Sequence, residues 1–255
     1  MKNIMVFFFL GFGILSHSCA QQKETYKPGE WLKFRVHYGF INGGFASIEV
    51  QNSFEKNQKL HHVIGKGWST GLLNWVFPVE DQYESYIQPK SGFPVRAVRK
   101  VKEGKYTKNV ELFFEKDSVI TIDHKRKRRN SEAAKNVHDM IAAFYYLRNN
   151  IKKTLKNKEH IKINMFFDGK EFPFKLVKLK EEIIQTKFGK IKCIKFRPLV
   201  QKGRVFKAKE SVTIWVSADQ NKIPVRIQAD LAIGALRADI DKYKGLSHPL
   251  EMVID

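Results

Sequence analysis

Gly67-Trp68-Ser69-Thr70-Gly71 fits the G-x-S-x-G pattern, and the chemistry it suggests is acyl hydrolysis with Ser69 as nucleophile. Such an elbow needs a strand before the serine, a helix after it, a parallel sheet flanked by helices, and then an acid and a histidine in chain order. A strand can precede at 61–64, and His138, His160 and His248 follow. The text around the pentapeptide is antiparallel in grammar, with no alternation of strands and helices, so the hydrolase stands as an alternative reading.

Other chemistry finds less material. The adjacent His61 and His62 point to opposite faces of a strand and cannot converge on one metal, as with Glu80 and Asp81 or Glu181 and Glu182. No H-x-H, H-E-x-x-H or cysteine cluster occurs, so no metal site and no cofactor are expected. Gly39 to Gly44 is glycine-rich after a strand, but another strand follows it, leaving no helix N-terminus for a phosphate. The most suggestive segment runs from Trp68 to Phe77, where Leu72, Leu73, Trp75, Val76 and Phe77 crowd together. It either folds inward as core, the default for a β domain that needs aromatic filler, or lines a pocket or membrane-facing rim. Trp68, Leu72, Trp75 and Phe77 are then the candidate apolar contacts of a ligand, and Arg96, Arg99 and Arg226 the candidate partners of an anionic head group.

The elements that must position these residues are mostly strands. Leu32, Phe34, Val36 and Tyr38 alternate with Lys33, Arg35 and His37, the period of a half-buried strand, and Ala46, Ile48 and Val50 resume it after the glycine-rich turn. The same alternation recurs at 81–87, 95–101, 110–114 and 119–122. Asp168-Gly169 and Phe188-Gly189 turn two further hairpins, Asp219 to Lys222 turns another, and a last pair is expected around Leu231–Ile233 and Leu236–Ile240. Ser131 to Asn149 disagrees, having no Gly or Pro and an almost all-round apolar stretch from Asp139 to Arg148. It reads as a buried helix lying against, or plugging, a curved sheet. The expectation is a mostly β fold: one large antiparallel, strongly curved sheet or open barrel around one buried helix, residues 21–255 forming a single domain with a possible internal boundary near 123–136.

Lys2, the apolar run from Ile4 to Leu15 and the small residues before Gln21 have the layout of a secretory signal peptide over residues 1–20. Cleavage after Ala20 leaves Gln21 first, and a lipoprotein peptidase would instead leave Cys19 first, although Ser16 and His17 fit that signal poorly. Loss of residues 1–20 removes one Lys and no acid, so the net charge passes from +20 to +19, and only Cys193 remains of two cysteines. No intrachain disulfide is then available. So positive a field favours anionic partners, in an envelope compartment an anionic lipid, lipopolysaccharide or glycan rather than nucleic acid. Lysines of a solvated surface are the plainer account of the same charge, as for the basic run Lys125 to Arg129. No later segment is apolar and long enough to be a membrane helix.

The order of several fragments resembles the exported bacterial family catalogued as domain of unknown function 3108. These are Tyr38 to Gly44 running into Ala46-Ser47-Ile48, Asp81-x-Tyr83-x-Ser85-Tyr86, Glu103 to Tyr106, Asp139-Met140 through Arg148, and Trp215-Val216-Ser217-x-Asp219 before Ile223-Pro224. The resemblance spans about Tyr26 to Tyr243 and implies one secreted or periplasmic β-rich domain, similar to open-barrel carriers of lipids or lipoproteins, with no catalytic residues to carry over. The expected function is a non-catalytic binding or carrier module for an anionic or amphipathic envelope component, in the periplasm of a Gram-negative bacterium, with outer-membrane association left open. A small outer-membrane barrel is opposed by the helix and by a C-terminus without a closing aromatic strand.

Overall fold

The computed structural model describes residues 25–55, 57–124, 129–132, 136–151, 155–199, 212–231 and 233–254; Cys19, Ala20, Gln21 and residues 125–128 of the basic run lie outside them. In chain order the elements are β1 (Trp31–Tyr38), β2 (Ile41–Glu55), β3 (Gln58–Ser69), α1 (Gly71–Val76), β4 (Glu80–Ile87), β5 (Pro94–Glu103), β6 (Tyr106–Phe114), β7 (Ser118–Asp123) and β8 (Arg129–Glu132). There follow β9 (Val137–His138), α2 (Met140–Asn150), β10 (His160–Phe167), β11 (Lys170–Thr186), β12 (Gly189–Leu199), β13 (Val212–Ser217), β14 (Pro224–Asp230) and β15 (Ala235–Lys244).

The strands form one fifteen-stranded sheet in the order β8-β7-β6-β5-β4-β3-β2-β1-β15-β14-β13-β12-β11-β10-β9. Neighbours pair antiparallel except β9 and β10, where Val137 and His138 run parallel to Asn164 and Met165. The sheet is therefore mixed at one edge, not wholly antiparallel as expected, because the chain between β9 and β10 passes through α2, the kind of crossover that parallel pairing requires. The domain boundary considered near 123–136 falls where the chain passes between the two edge strands, β8 and β9.

The sheet curls on itself. Val119 of β7 packs in one cluster with Val137 of β9 and Phe166 of β10, bringing the two ends of the strand order together. Inside the curl lies α2. Its Ile141, Ala142 and Tyr145 meet Tyr26, Val50, Val63 and Ile87, while Ala143 and Leu147 meet Ile163, Met165, Leu176 and Phe196. A helix clamped between two walls of sheet needs apolar residues nearly all round, which is what the sequence supplies. No helix of the described residues is long and apolar enough to cross a membrane.

Three local expectations change. The helix begins at Met140, not near residue 131, because Asp139 caps it by accepting from the N–H groups of Ile141 and Ala142; Arg129–Glu132 and Val137–His138 are strands. Of the pair expected around Leu231–Ile233, Leu231 and Ile233 lie outside any strand, between β14 and β15, where the Leu231 N–H donates to the Gly234 carbonyl. At the end of β1 burial departs from the expected alternation: His37 keeps the face of Arg35 but is buried, its Nε2 2.9 Å from Asp239 Oδ2, and Tyr38 is exposed.

Candidate functional site

Antiparallel pairing sends the β1–β2, β5–β6, β10–β11 and β14–β15 turns, together with the β3–α1–β4 connection, to one end of the sheet. Ser69 closes β3 at that end. Its hydroxyl donates to Asn74 Oδ1 at 2.8 Å and accepts from the Val79 N–H at 2.8 Å, and its backbone N–H donates to the Val79 carbonyl at 3.1 Å. Ser69 is thus the staple that closes the loop carrying α1. A strand does precede it and a short helix does follow, but β3 runs antiparallel to both its neighbours, and neither bond of the hydroxyl is to a histidine.

The apolar segment expected to fold inward as core lies on the surface instead. Leu72, Leu73, Trp75, Val76 and Phe77 are exposed, Trp75 by 85%. A six-residue helix perched across the sheet end has no second layer to bury against. It is held there by the Thr70 N–H on the Gly43 carbonyl at 3.1 Å, the Asn42 amide on the Thr70 hydroxyl at 3.2 Å, and the Gly104 N–H on the Pro78 carbonyl at 2.8 Å. The neighbouring turns carry more of the same: Phe40 and Ile41 between β1 and β2, Tyr106 opening β6, and Leu231, Ile233 and Leu236 between and beside β14 and β15. Tyr38 joins the first and the last of these groups, its hydroxyl donating to the Ile233 carbonyl at 3.0 Å. Of the sixteen large apolar side chains exposed among the described residues, twelve lie at this end. The exposed apolar side chains are thus concentrated at one end of the sheet rather than scattered over both.

At the same end, between β5–β8 and the β10–β11 turn, lies a concavity of about 440 Å³. Arg99, Lys108, Arg129 and Lys170 line it with Asp123 and Asp168, and Val110, Leu112 and Phe167 form apolar wall. Arg99 reaches it because it shares a face of β5 with the buried Ala97 and Val101. Its Nη1 donates to Asp168 Oδ1 at 2.8 Å, Lys108 Nζ donates to the same oxygen, and the guanidinium lies 4.5 Å from the Phe167 ring centre. Burial pulls the Asp168 carboxyl upward, but the Lys108 hydrogen bond and the Arg99 charge outweigh it and hold the group below its ordinary value. Arg99 Nε and the Thr121 hydroxyl, also in this wall, are buried without a hydrogen-bond partner.

The other two arginines do not join it. Arg96, three residues from Arg99, takes the opposite face of β5, where it pairs with Glu111 and Glu55 and lies 4.9 Å from the Tyr86 ring centre. Arg226 pairs with Asp239, which also meets His37. Trp68 is on the outer face beside Phe45, whose ring has Lys33 Nζ 4.0 Å from its centre. Trp68 lines a different, outer concavity of about 530 Å³ with Lys66, Lys100 and Lys102. The expected apolar contacts and the expected head-group cations therefore split among three surfaces. Lys108, Arg129, Lys170 and Asp168 were not singled out as site residues by sequence reasoning: the two lysines are among many, Arg129 read only as part of a solvated basic run, and Asp168 only as a turn former. Phe40 and Ile41 did carry a signal, being apolar at a hairpin tip flanked by Gly39 and Gly43. Among the described residues no group of three His, Cys, Asp or Glu side chains is placed to hold a metal ion.

The model of the family described as protein of unknown function (DUF3108) matches residues 33–241. No curated protein matches the chain. Among solved structures, the beta-barrel-like protein of domain of unknown function DUF1849 from Brucella abortus is similar at a TM-score of 0.57 and 9% identity, over 86% of this chain and 98% of that one. A DUF1089 family protein from Pseudomonas aeruginosa aligns over 70% of this chain and 87% of that one at 9% identity, with a TM-score of 0.33. The first supports a barrel-like fold and nothing finer.

Proposed function

The chain belongs to the DUF3108 family, proteins of unknown function, and from that premise we propose that it is a non-catalytic binding or carrier module of the cell envelope, taking the anionic head of an amphipathic molecule between Arg99 and Lys108. The observation that carries this reading is the convergence of both cations on one oxygen of Asp168. A half-exposed carboxylate from a hairpin turn stands where an acidic group on a ligand would be held, and a turn can yield that place at small cost. Arg129 and Lys170 flank the opening, and Val110, Leu112 and Phe167 present apolar surface to whatever follows the head group. The leader-like residues 1–20 support export to the periplasm. The hydrolase reading gains nothing from the geometry, since both lone-pair and proton of the Ser69 hydroxyl are engaged in closing its own loop.

The test is binding of a short-chain phosphatidylglycerol, kept below its micellar concentration, beside native mass spectrometry of the protein isolated from its own envelope. We expect saturable binding that Arg99→Gln with Lys108→Gln weakens by about tenfold or more. Asp168→Asn should tighten it severalfold by removing the internal competitor. Equal affinity in all three proteins, or no binding at low ionic strength, overturns the reading.

A further inference from the structure

We propose that the apolar end of the sheet is a docking surface for an anionic lipid bilayer, into whose interface the turn tips and α1 insert. The inference goes beyond the head-group site and does not depend on it. Three observations carry it. The exposed apolar residues sit on separate tips at one end (Phe40 and Ile41 on one, Leu72 and Trp75 on a second, Ile233 on a third), and none of these five lines either concavity described above. A helix or strand of a partner protein needs a continuous groove or an open strand edge, whereas a bilayer interface accepts several independent tips at one depth. The tips are tied to one another by Tyr38 on Ile233, Asn42 on Thr70 and Gly104 on Pro78, so they present as one fixed platform. Their chemistry, bulky aliphatic groups mixed with Trp75, Phe40 and Tyr38, is that of side chains which settle between head groups and acyl chains.

Charge selects the kind of bilayer. Exposed Lys102, Lys105 and Arg237 stand just behind the tips, and the net charge of +20 draws the whole chain toward a negative surface. The same end carries the acids Asp81, Glu103 and Asp230, Glu80 paired with Lys102, and Asp123 and Asp168 in the concavity. Burial raises the Asp81 carboxyl above its ordinary value, against the lowering hydrogen bonds of the Lys102 N–H and Glu103, and burial together with the Asp81 charge raises that of Glu103.

The experiment uses the full chain with two sets of vesicles, phosphatidylcholine alone and phosphatidylcholine with phosphatidylglycerol, read by co-sedimentation and by quenching with lipids brominated on the acyl chain. Residues 1–20 are common to every variant, and a position-specific signal separates their contribution: we expect bromolipid to quench a component that Trp75→Phe removes, because Trp31 and Trp68 are half-buried and Trp215 is buried. Phe40→Ser with Trp75→Ser and Ile233→Ser, all at exposed positions, should weaken partitioning to the anionic vesicles by about tenfold. Phe54→Ser, exposed at the opposite end of the sheet, should leave it unchanged. Arg99→Gln with Lys108→Gln should still dock, so a failed head-group site and a failed docking surface give different results. Absence of the Trp75 component, an unaltered triple variant, or tip-dependent self-association in place of vesicle binding overturns the proposal.

Discussion

His138 and Asp139 are neighbours in sequence, both buried, and burial displaces them in opposite directions. His138 is packed against the rings of Phe93 and Tyr146 at 4.8 and 4.6 Å between centres, and no polar side chain meets its ring nitrogens. Desolvation lowers it from 6.5 to about 4, against a small opposing effect of the Asn164 backbone. Asp139 is raised from 3.8 to about 6 by burial, which the hydrogen bonds from Ser85, Ala142 and Ile141 only partly offset. Between about 4 and about 6 the folded chain keeps the Asp139 proton that the unfolded chain releases, so this residue makes stability fall as pH rises. From 6.5 down to about 4 the unfolded chain protonates His138 while the folded chain does not, so this one makes stability fall as pH falls. The two slopes oppose each other. Unfolding free energies from urea titrations across that range should therefore be flattest for the wild type, drop toward acid in Asp139→Asn, and rise toward acid in His138→Phe, each by on the order of 2 kcal/mol. Parallel profiles for all three proteins would sink this account. Neither residue was legible as a pair beforehand: Asp139 read as the start of an apolar stretch, and what gives both their properties is closure by Ser85 on β4 and Asn164 on β10, contacts far apart in sequence. The arginines teach the same lesson, since the two-residue period separates Arg96 from Arg99 but cannot say which carboxylate each will find.

The helix α2 was legible and α1 was not. Nearly all-round apolarity over eleven residues has one stable solution, burial, whereas five apolar residues in a ten-residue loop can be filler or surface, and tertiary context chose surface. What holds α2 in place is an ion pair, Arg148 with Glu30, exposed by only 2% and 0%. Arg148 Nη1 and Nη2 reach the two Glu30 oxygens at 2.6 and 3.0 Å, Tyr145 donates to Glu30 at 3.2 Å, and Nη2 also reaches the Asn221 carbonyl at 2.8 Å. One guanidinium thus joins the segment before β1, the helix, and the β13–β14 turn. Arg148→Met should lower the free energy of unfolding by about 3–5 kcal/mol, because Glu30 is left charged and buried, and pairing it with Glu30→Leu should recover part of the loss. Chemical denaturation of the two variants decides it; a single substitution that costs nothing would show the pair to be dispensable.

Fold class and hairpin turns could be read from alternation because each depends on a few adjacent residues, as at Asp168-Gly169, whose backbone angles φ are +50° and +80°. The strand order could not. Nothing local in Trp31–Tyr38 says that it pairs with Ala235–Lys244, yet that pairing makes one sheet out of two consecutive meanders. The gathering of apolar tips at one end follows from the same long-range fact, and so was beyond a residue-by-residue reading.

The seam between β1 and β15 has a kinetic consequence. The two meanders can each zip up locally, but the central pairing must wait for the most distant strands to find each other, and closing so long a loop slows the search. Until it closes, β1 and β15 each present a bare edge, the form of a chain most open to self-association. A circular permutant that joins residue 254 to residue 25 through a short linker, with new ends opened at 133–135, would keep the strand contacts and place every hairpin partner next in line. Stopped-flow refolding should find it faster than the parent with less aggregation; equal rates would locate the slow step elsewhere, in the docking of α2.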